Sequence, residues 1–177
     1  IDAGEINRNR KADVALVGDA GAVLGKLGEG VAEKDRSAWL ESLRGSFAAI
    51  TAGDRQAMET PADPIHPLRL VQSIREATGD DAIFIVDGGD TLYFGSVGLR
   101  ARGISGVIGS GTLFGCLGTG VPFAIGAKVA LPDKRVVLLT GDGSFGLNAM
   151  ELETSCRHGA PIVVVICNDQ AWGMVKH

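Results

Sequence analysis

Three short runs of consecutive apolar residues constrain this chain more than any other feature: Ile83-Phe84-Ile85-Val86, Val136-Val137-Leu138-Leu139 and Ile162-Val163-Val164-Val165-Ile166. They are rich in β-branched side chains and do not alternate apolar with polar, which suits strands covered on both faces. Helix-sized segments separate them. Leu147 to His158 reads as a crossover helix that stops at Gly159-Ala160-Pro161, and the alanine-rich stretch Pro122 to Leu131 reads as another, followed by the turn Pro132-Asp133. This order predicts an α/β fold, a parallel sheet with flanking helices.

Upstream the pattern differs. Ile1 to Ile6 begins as if a strand had just ended, and Ala20 to Leu27 has the spacing of a short amphipathic helix. Ser37 to Met58 places Trp39, Leu43, Phe47 and Ile50 on one helical stripe fit to pack on a neighbour. Three prolines in Thr60-Pro61-Ala62-Asp63-Pro64-Ile65-His66-Pro67 then forbid a continuing helix. The predicted organisation is a remnant of a preceding domain over 1–28, a helical linker over 29–65, and a binding domain over 66–177.

A chain of 177 residues, 45% hydrophobic, is long enough to bury a core. Its net charge of -4, with scattered Lys and Arg, offers no basic field to nucleic acid or an anionic membrane, so a small-molecule partner is expected. No apolar run approaches the roughly 18 residues of a membrane span. Cys116, Cys156 and Cys167 have neither zinc-site nor disulfide-framework spacing, which together with the lack of a signal-peptide pattern makes the cytoplasm the expected location.

Of the 26 glycines, 15 fall between Gly88 and Gly146 inclusive, where backbone must come close to something. In open parallel sheets ligands sit beyond the carboxyl ends of the strands. Here those ends are Asp87-Gly88-Gly89-Asp90-Thr91, Gly141-Asp142-Gly143-Ser144 and Asn168-Asp169-Gln170. Asp142 and Asp169 are hard oxygen donors of the kind Mg²⁺ or Ca²⁺ requires, and Gly141 and Gly143 allow backbone N–H groups to approach an anion at a helix start. A lone Gly-Asp-Gly is also an ordinary turn. Its spacing from the next motif carries more weight.

Gly141-Asp142-Gly143-Ser144-Phe145, a helix with Glu151-Leu152, then Pro161, an apolar strand and Asn168-Asp169-Gln170-Ala171-Trp172-Gly173-Met174 resembles the thiamine-diphosphate signature of the acetolactate synthase and benzoylformate decarboxylase superfamily. The segment Gly115 to Lys128 resembles the glycine-rich stretch upstream of that signature, and Ile1 to Leu27 resembles the end of the family's central domain.

The resemblance implies thiamine diphosphate and Mg²⁺ as cofactors. Asp142 and Asp169 would ligate the metal by side chain and Ala171 by its carbonyl, with diphosphate oxygens and water completing the shell. The family usually has asparagine at the second position; the register through Gly173-Met174 favours Asp169, with Asn168 as the alternative. Gly141, Gly143 and Ser144 would meet the diphosphate, and Gly89, Asp90 and Thr91 its far side. Asp90 departs from the neutral amide common in acetolactate synthases, and its charge beside phosphate suggests that it turns away. Gly115 would offer its carbonyl to the aminopyrimidine. Leu117, where the family often has methionine, would wedge beneath the bent cofactor or be a plain core leucine. Trp172 and Gly173 would border the cofactor, although a large aromatic such as Trp172 also suits a core.

No catalytic residue is implied within the chain. The glutamate that activates the cofactor lies in this family on a pyrimidine-binding domain of a partner subunit, so a homodimer or homotetramer is implied and this stretch alone would be inactive. The chain reads as an internal fragment, with strands partly uncovered. His66 and His158 suit structural roles beside prolines and at a helix end, whereas His177 follows the cofactor loop. The implied reaction is carbon–carbon bond formation or cleavage on 2-keto acids, acetolactate synthase-like. A 2-hydroxyacyl-CoA or benzaldehyde-type lyase is the alternative. From another class stands a non-catalytic nucleotide- or diphosphate-binding module.

Overall fold

The computed structural model describes residues 2–79, 81–101, 106–109 and 114–176. The chain divides into two compact units, Ile1–Phe47 and Ala48–His177, so the segment expected as a linker, 29–65, contributes to both.

In the first unit the stretch after Ile1 forms a 3₁₀ turn, Ala3–Glu5, and α1 follows at Ala20–Glu29. Asp19 starts α1 by accepting the Ala22 N–H at 2.9 Å, the capping role that short acidic side chains perform. No residue of α1 is buried. Helix α2, Ser37–Ile50, begins in this unit and ends in the next; it carries the stripe of Trp39, Leu43, Phe47 and Ile50, and all four are exposed.

The second unit holds α3 (Ala52–Glu59), α4 (Pro67–Thr78), β1 (Ile83–Asp87), α5 (Asp90–Gly98), β2 (Val107–Gly109), α6 (Gly120–Ala130), β3 (Val136–Gly141), α7 (Asp142–Asn148), α8 (Leu152–Arg157), β4 (Val163–Cys167) and α9 (Gly173–Lys176). His66 starts α4, its Nδ1 accepting the Leu68 N–H, with Pro67 at the first helical position where a missing donor costs nothing. Its structural role is thereby accounted for, as is that of His158, which caps α8. His177 lies outside the described residues.

Four parallel strands pair in the order β2-β1-β3-β4. In β1 and β3 successive side chains feed two cores. Phe84, Val86, Val137 and Leu139 pack with Val71 and Ile74 of α4. Ile83, Ile85, Val136 and Leu138 pack with Val121, Ala124 and Ile125 of α6. Burial on both faces is why these strands show no alternation; each fully buried Leu or Ile contributes on the order of 1.5–3 kcal/mol. The edge strand β4 differs, since Val163 and Ile166 remain exposed.

The expected single helix from Leu147 to His158 is instead α7, a 3₁₀ turn at Ala149–Glu151, and α8. Asn148 is a poor helix former, and at φ -137° its amide leaves the helical path to donate to the Gly118 carbonyl at 2.8 Å. Helix α7 also begins earlier than expected, at Asp142 directly after β3.

Candidate functional site

Chain connections leave β1 and β3 in opposite directions. From β1 the chain runs through α5 to β2 on one side, whereas β3 continues through α7 and α8 to β4 on the other. The gap beyond their carboxyl ends is a topological switch point, the place where open α/β sheets bind ligands.

A cavity of about 1380 Å³ occupies this position. Its wall includes Gly89, Asp90 and Thr91 after β1; Gly115 and Leu117 before α6; Gly141, Asp142, Gly143 and Ser144 after β3; and Asn168, Asp169, Ala171, Trp172 and Gly173 after β4. Each residue that the resemblance assigns to the metal or the cofactor therefore lines one space. Leu117 is half-buried and belongs to neither core, and Trp172 is exposed at the rim.

Glycines let the loops close on one another. Gly88 has φ +115°, and a Cβ on it would stand 3.4 Å from Ser144 Oγ and 3.5 Å from the Gly141 nitrogen. A Cβ on Gly143 would stand 3.2 Å from Trp172 Nε1, so the indole lies against the Gly-Asp-Gly turn. Met174 packs on Gly89 in the same way, a contact that sequence spacing did not reveal.

The β4 loop is held by its own side chains. Asn168 Oδ1 accepts the Gln170 N–H at 3.0 Å and Asp169 Oδ1 accepts the Ala171 N–H at 3.2 Å, with Gln170 at φ 57° between them. Asp142 Oδ1 accepts the Gly143 N–H at 2.9 Å. The Asp90 carboxylate lies against Gly173, which the Asp169 carboxylate also approaches. Negative charge therefore gathers at this end of the cavity.

Cys167, read from the sequence only as one of three cysteines without a metal or disulfide spacing, lines the cavity at the end of β4. Burial pushes its thiol pKa up, the Thr91 hydroxyl opposes this by hydrogen bonding, and the nearby Asp169 charge adds to the rise. A neutral thiol belongs there rather than a nucleophile.

These residues suit a divalent metal bound together with a diphosphate. Among the described residues no three His, Cys, Asp or Glu side chains converge on a common point. Mg²⁺ commonly uses one or two carboxylates with phosphate oxygens and water, a demand that Asp142, Asp169 and loop carbonyls can meet. No helix among the described residues is long and apolar enough to cross a membrane.

Residues 88–177 match the family described as thiamine pyrophosphate enzyme, C-terminal TPP binding domain. The chain is 38% identical over 99% of its length to the acetolactate synthase large subunit of Parasynechococcus marenigrum, covering 28% of that protein. It is 37% identical to a probable acetolactate synthase of Mycobacterium bovis over 95% of the chain and 30% of that protein. It is 34% identical to 2-hydroxyacyl-CoA lyase 2 of Bos taurus over 97% of the chain and 29% of that protein. The chain thus spans less than a third of these relatives. The match over 88–177 covers the strand ends that meet at the cavity, and the chain belongs to the thiamine pyrophosphate enzymes, with their C-terminal cofactor-binding domain in this region.

Proposed function

We propose that the protein uses thiamine diphosphate and Mg²⁺ to form or cleave a carbon–carbon bond beside a carbonyl, with a 2-keto acid as substrate in an acetolactate synthase-like reaction. The observation that carries this reading is the convergence on one cavity of three strand-end loops bearing Asp142, Asp169 and the close-packed glycines Gly89, Gly141 and Gly143. When bound, the cofactor supplies the electron sink for the bond change. The chain's own residues supply anchorage.

Asp142 and Asp169 are the side chains assigned to the metal, with the Ala171 carbonyl as third protein ligand. Asn168 has its only side-chain oxygen on the Gln170 N–H, whereas Asp169 keeps a second oxygen beyond the one on Ala171; this supports Asp169 over Asn168. Gly143 and Ser144 at the start of α7 meet the diphosphate with Gly89 and Thr91 opposite, Gly115 and Leu117 hold the pyrimidine end, and Trp172 and Gly173 close the rim. The activating glutamate is assigned to a pyrimidine-binding domain of a partner subunit in a homo-oligomer. The unpaired cysteines support a reducing, cytoplasmic setting.

In the full-length protein Asp169→Ala is expected to weaken Mg²⁺-dependent binding of thiamine diphosphate more than Asn168→Ala, and a titration with the reverse order would overturn the ligand assignment. The reaction is tested by incubating the full-length enzyme with pyruvate. Acetolactate supports the synthase reading. The lyase reading is favoured by the 34% identity to a 2-hydroxyacyl-CoA lyase over nearly the same span; cleavage of a 2-hydroxyacyl-CoA with no turnover of pyruvate would establish it instead.

A further inference from the structure

One buried carboxylate remains after the cavity wall has been assigned. Asp87, the last residue of β1, is 1% exposed and lies behind the wall. Its Oδ2 accepts the N–H of Gly120 at 2.8 Å, across 33 residues of sequence. Gly120 opens α6, where orphan N–H groups and the positive end of the helix dipole favour an anion and offset its burial. The fit is close: a Cβ on Gly120 would stand 2.7 Å from Asp87 Cβ and 2.9 Å from Asp87 Oδ2.

This bond joins two parts of the cavity. Residues Gly115 to Gly118 lead into α6 and bring Gly115 and Leu117 to the wall. Their approach is pinned a second time by the Asn148 amide on the Gly118 carbonyl at 2.8 Å. One residue beyond Asp87, Gly88 packs against Ser144 and Gly141 of the diphosphate loop. Asp87 is therefore one residue from the glycine that packs on Gly141 and Ser144, and hydrogen-bonded to the first residue of the helix into which the Gly115–Gly118 arm leads.

We propose that Asp87 is a positioning residue that sets the distance between the arm carrying Gly115 and Leu117 and the loops that hold the diphosphate, so that both ends of thiamine diphosphate are met at once. This rests on the cavity being the thiamine diphosphate site. A residue that only supported the fold would affect every ligand of the cavity alike. A positioning residue affects the ligand that spans both parts and spares the ligand that touches one.

The test is calorimetry on the full-length protein in Mg²⁺ with thiamine diphosphate and with inorganic diphosphate. Asp87→Ala is expected to weaken thiamine diphosphate about tenfold or more while leaving inorganic diphosphate within about threefold. Asp87→Asn keeps an acceptor for Gly120 and should restore most of the lost affinity. Asn148→Ala releases the second pin without touching Asp87 and should shift the ratio of the two affinities in the same direction; it decides the matter if Asp87→Ala fails to fold. Parallel losses for both ligands or an unchanged ratio in Asp87→Ala, or in Asn148→Ala where Asp87→Ala does not fold, would overturn the proposal. A wild-type protein that binds thiamine diphosphate no better than inorganic diphosphate would instead overturn the cofactor assignment, and the positioning role with it.

Discussion

Cys167 shows how a side chain at the cavity is set by its surroundings. Burial raises its pKa above the ordinary 9.0, and the Asp169 charge acts in the same direction against the Thr91 hydrogen bond. The protonated thiol is favoured in the folded chain, so its contribution to stability is complete below the unfolded value and is lost as pH rises through the higher folded one. Alkylation at pH 8 followed by mass spectrometry should label the exposed Cys116 and Cys156 before Cys167; equal rates would contradict the burial argument. The placing of Asp142 and Asp169 was legible in the sequence, because the apolar runs of β3 and β4 lead directly into them, and both line the cavity. Asp87 was read only as one of those polar strand-end residues. Its partner Gly120 is brought to it by the fold, and nothing in local spacing announces a contact over that separation.

Helix α6 is held against the sheet by the absence of a side chain. A Cβ on Gly120 would stand 2.7 Å from both Asp87 Cβ and Leu138 Cδ1, and neither buried strand has room to yield. Gly120→Ala is therefore expected to destabilise the protein by about 1–3 kcal/mol, the usual cost of overpacking; an unchanged denaturation midpoint would show that α6 can shift freely. The same close approach explains which elements escaped sequence reading. In α5 a Cβ on Gly95 would stand 2.5 Å from Val86 Cγ1, and one on Gly98 equally close to Val71 Cγ1. Those glycines lower helix propensity, yet the packing of α5 depends on them. Strand β2 is only Val107–Gly109, too short to stand out among neighbouring glycines. The longer strands β1 and β3 were legible because burial on both faces leaves an unbroken apolar run.

At the scale of the molecule the cavity follows from topology, since strands β1 and β3 send their connections opposite ways and leave a gap that loop glycines line. The net charge of -4 and the carboxylates of Asp90, Asp142 and Asp169 on the wall of that gap would repel a bare diphosphate, so anion binding there calls for a cation. The chain spans 28% to 30% of the acetolactate synthases to which it is similar, which places the decisive measurement on the full-length protein. Calorimetric titration with thiamine diphosphate and with ADP, each with and without Mg²⁺, on the wild type and Asp142→Ala, tests the cofactor assignment most directly. Binding that prefers thiamine diphosphate, requires Mg²⁺ and is lost in Asp142→Ala is the predicted result; comparable binding of ADP, or binding indifferent to Mg²⁺ and to Asp142, would contradict it.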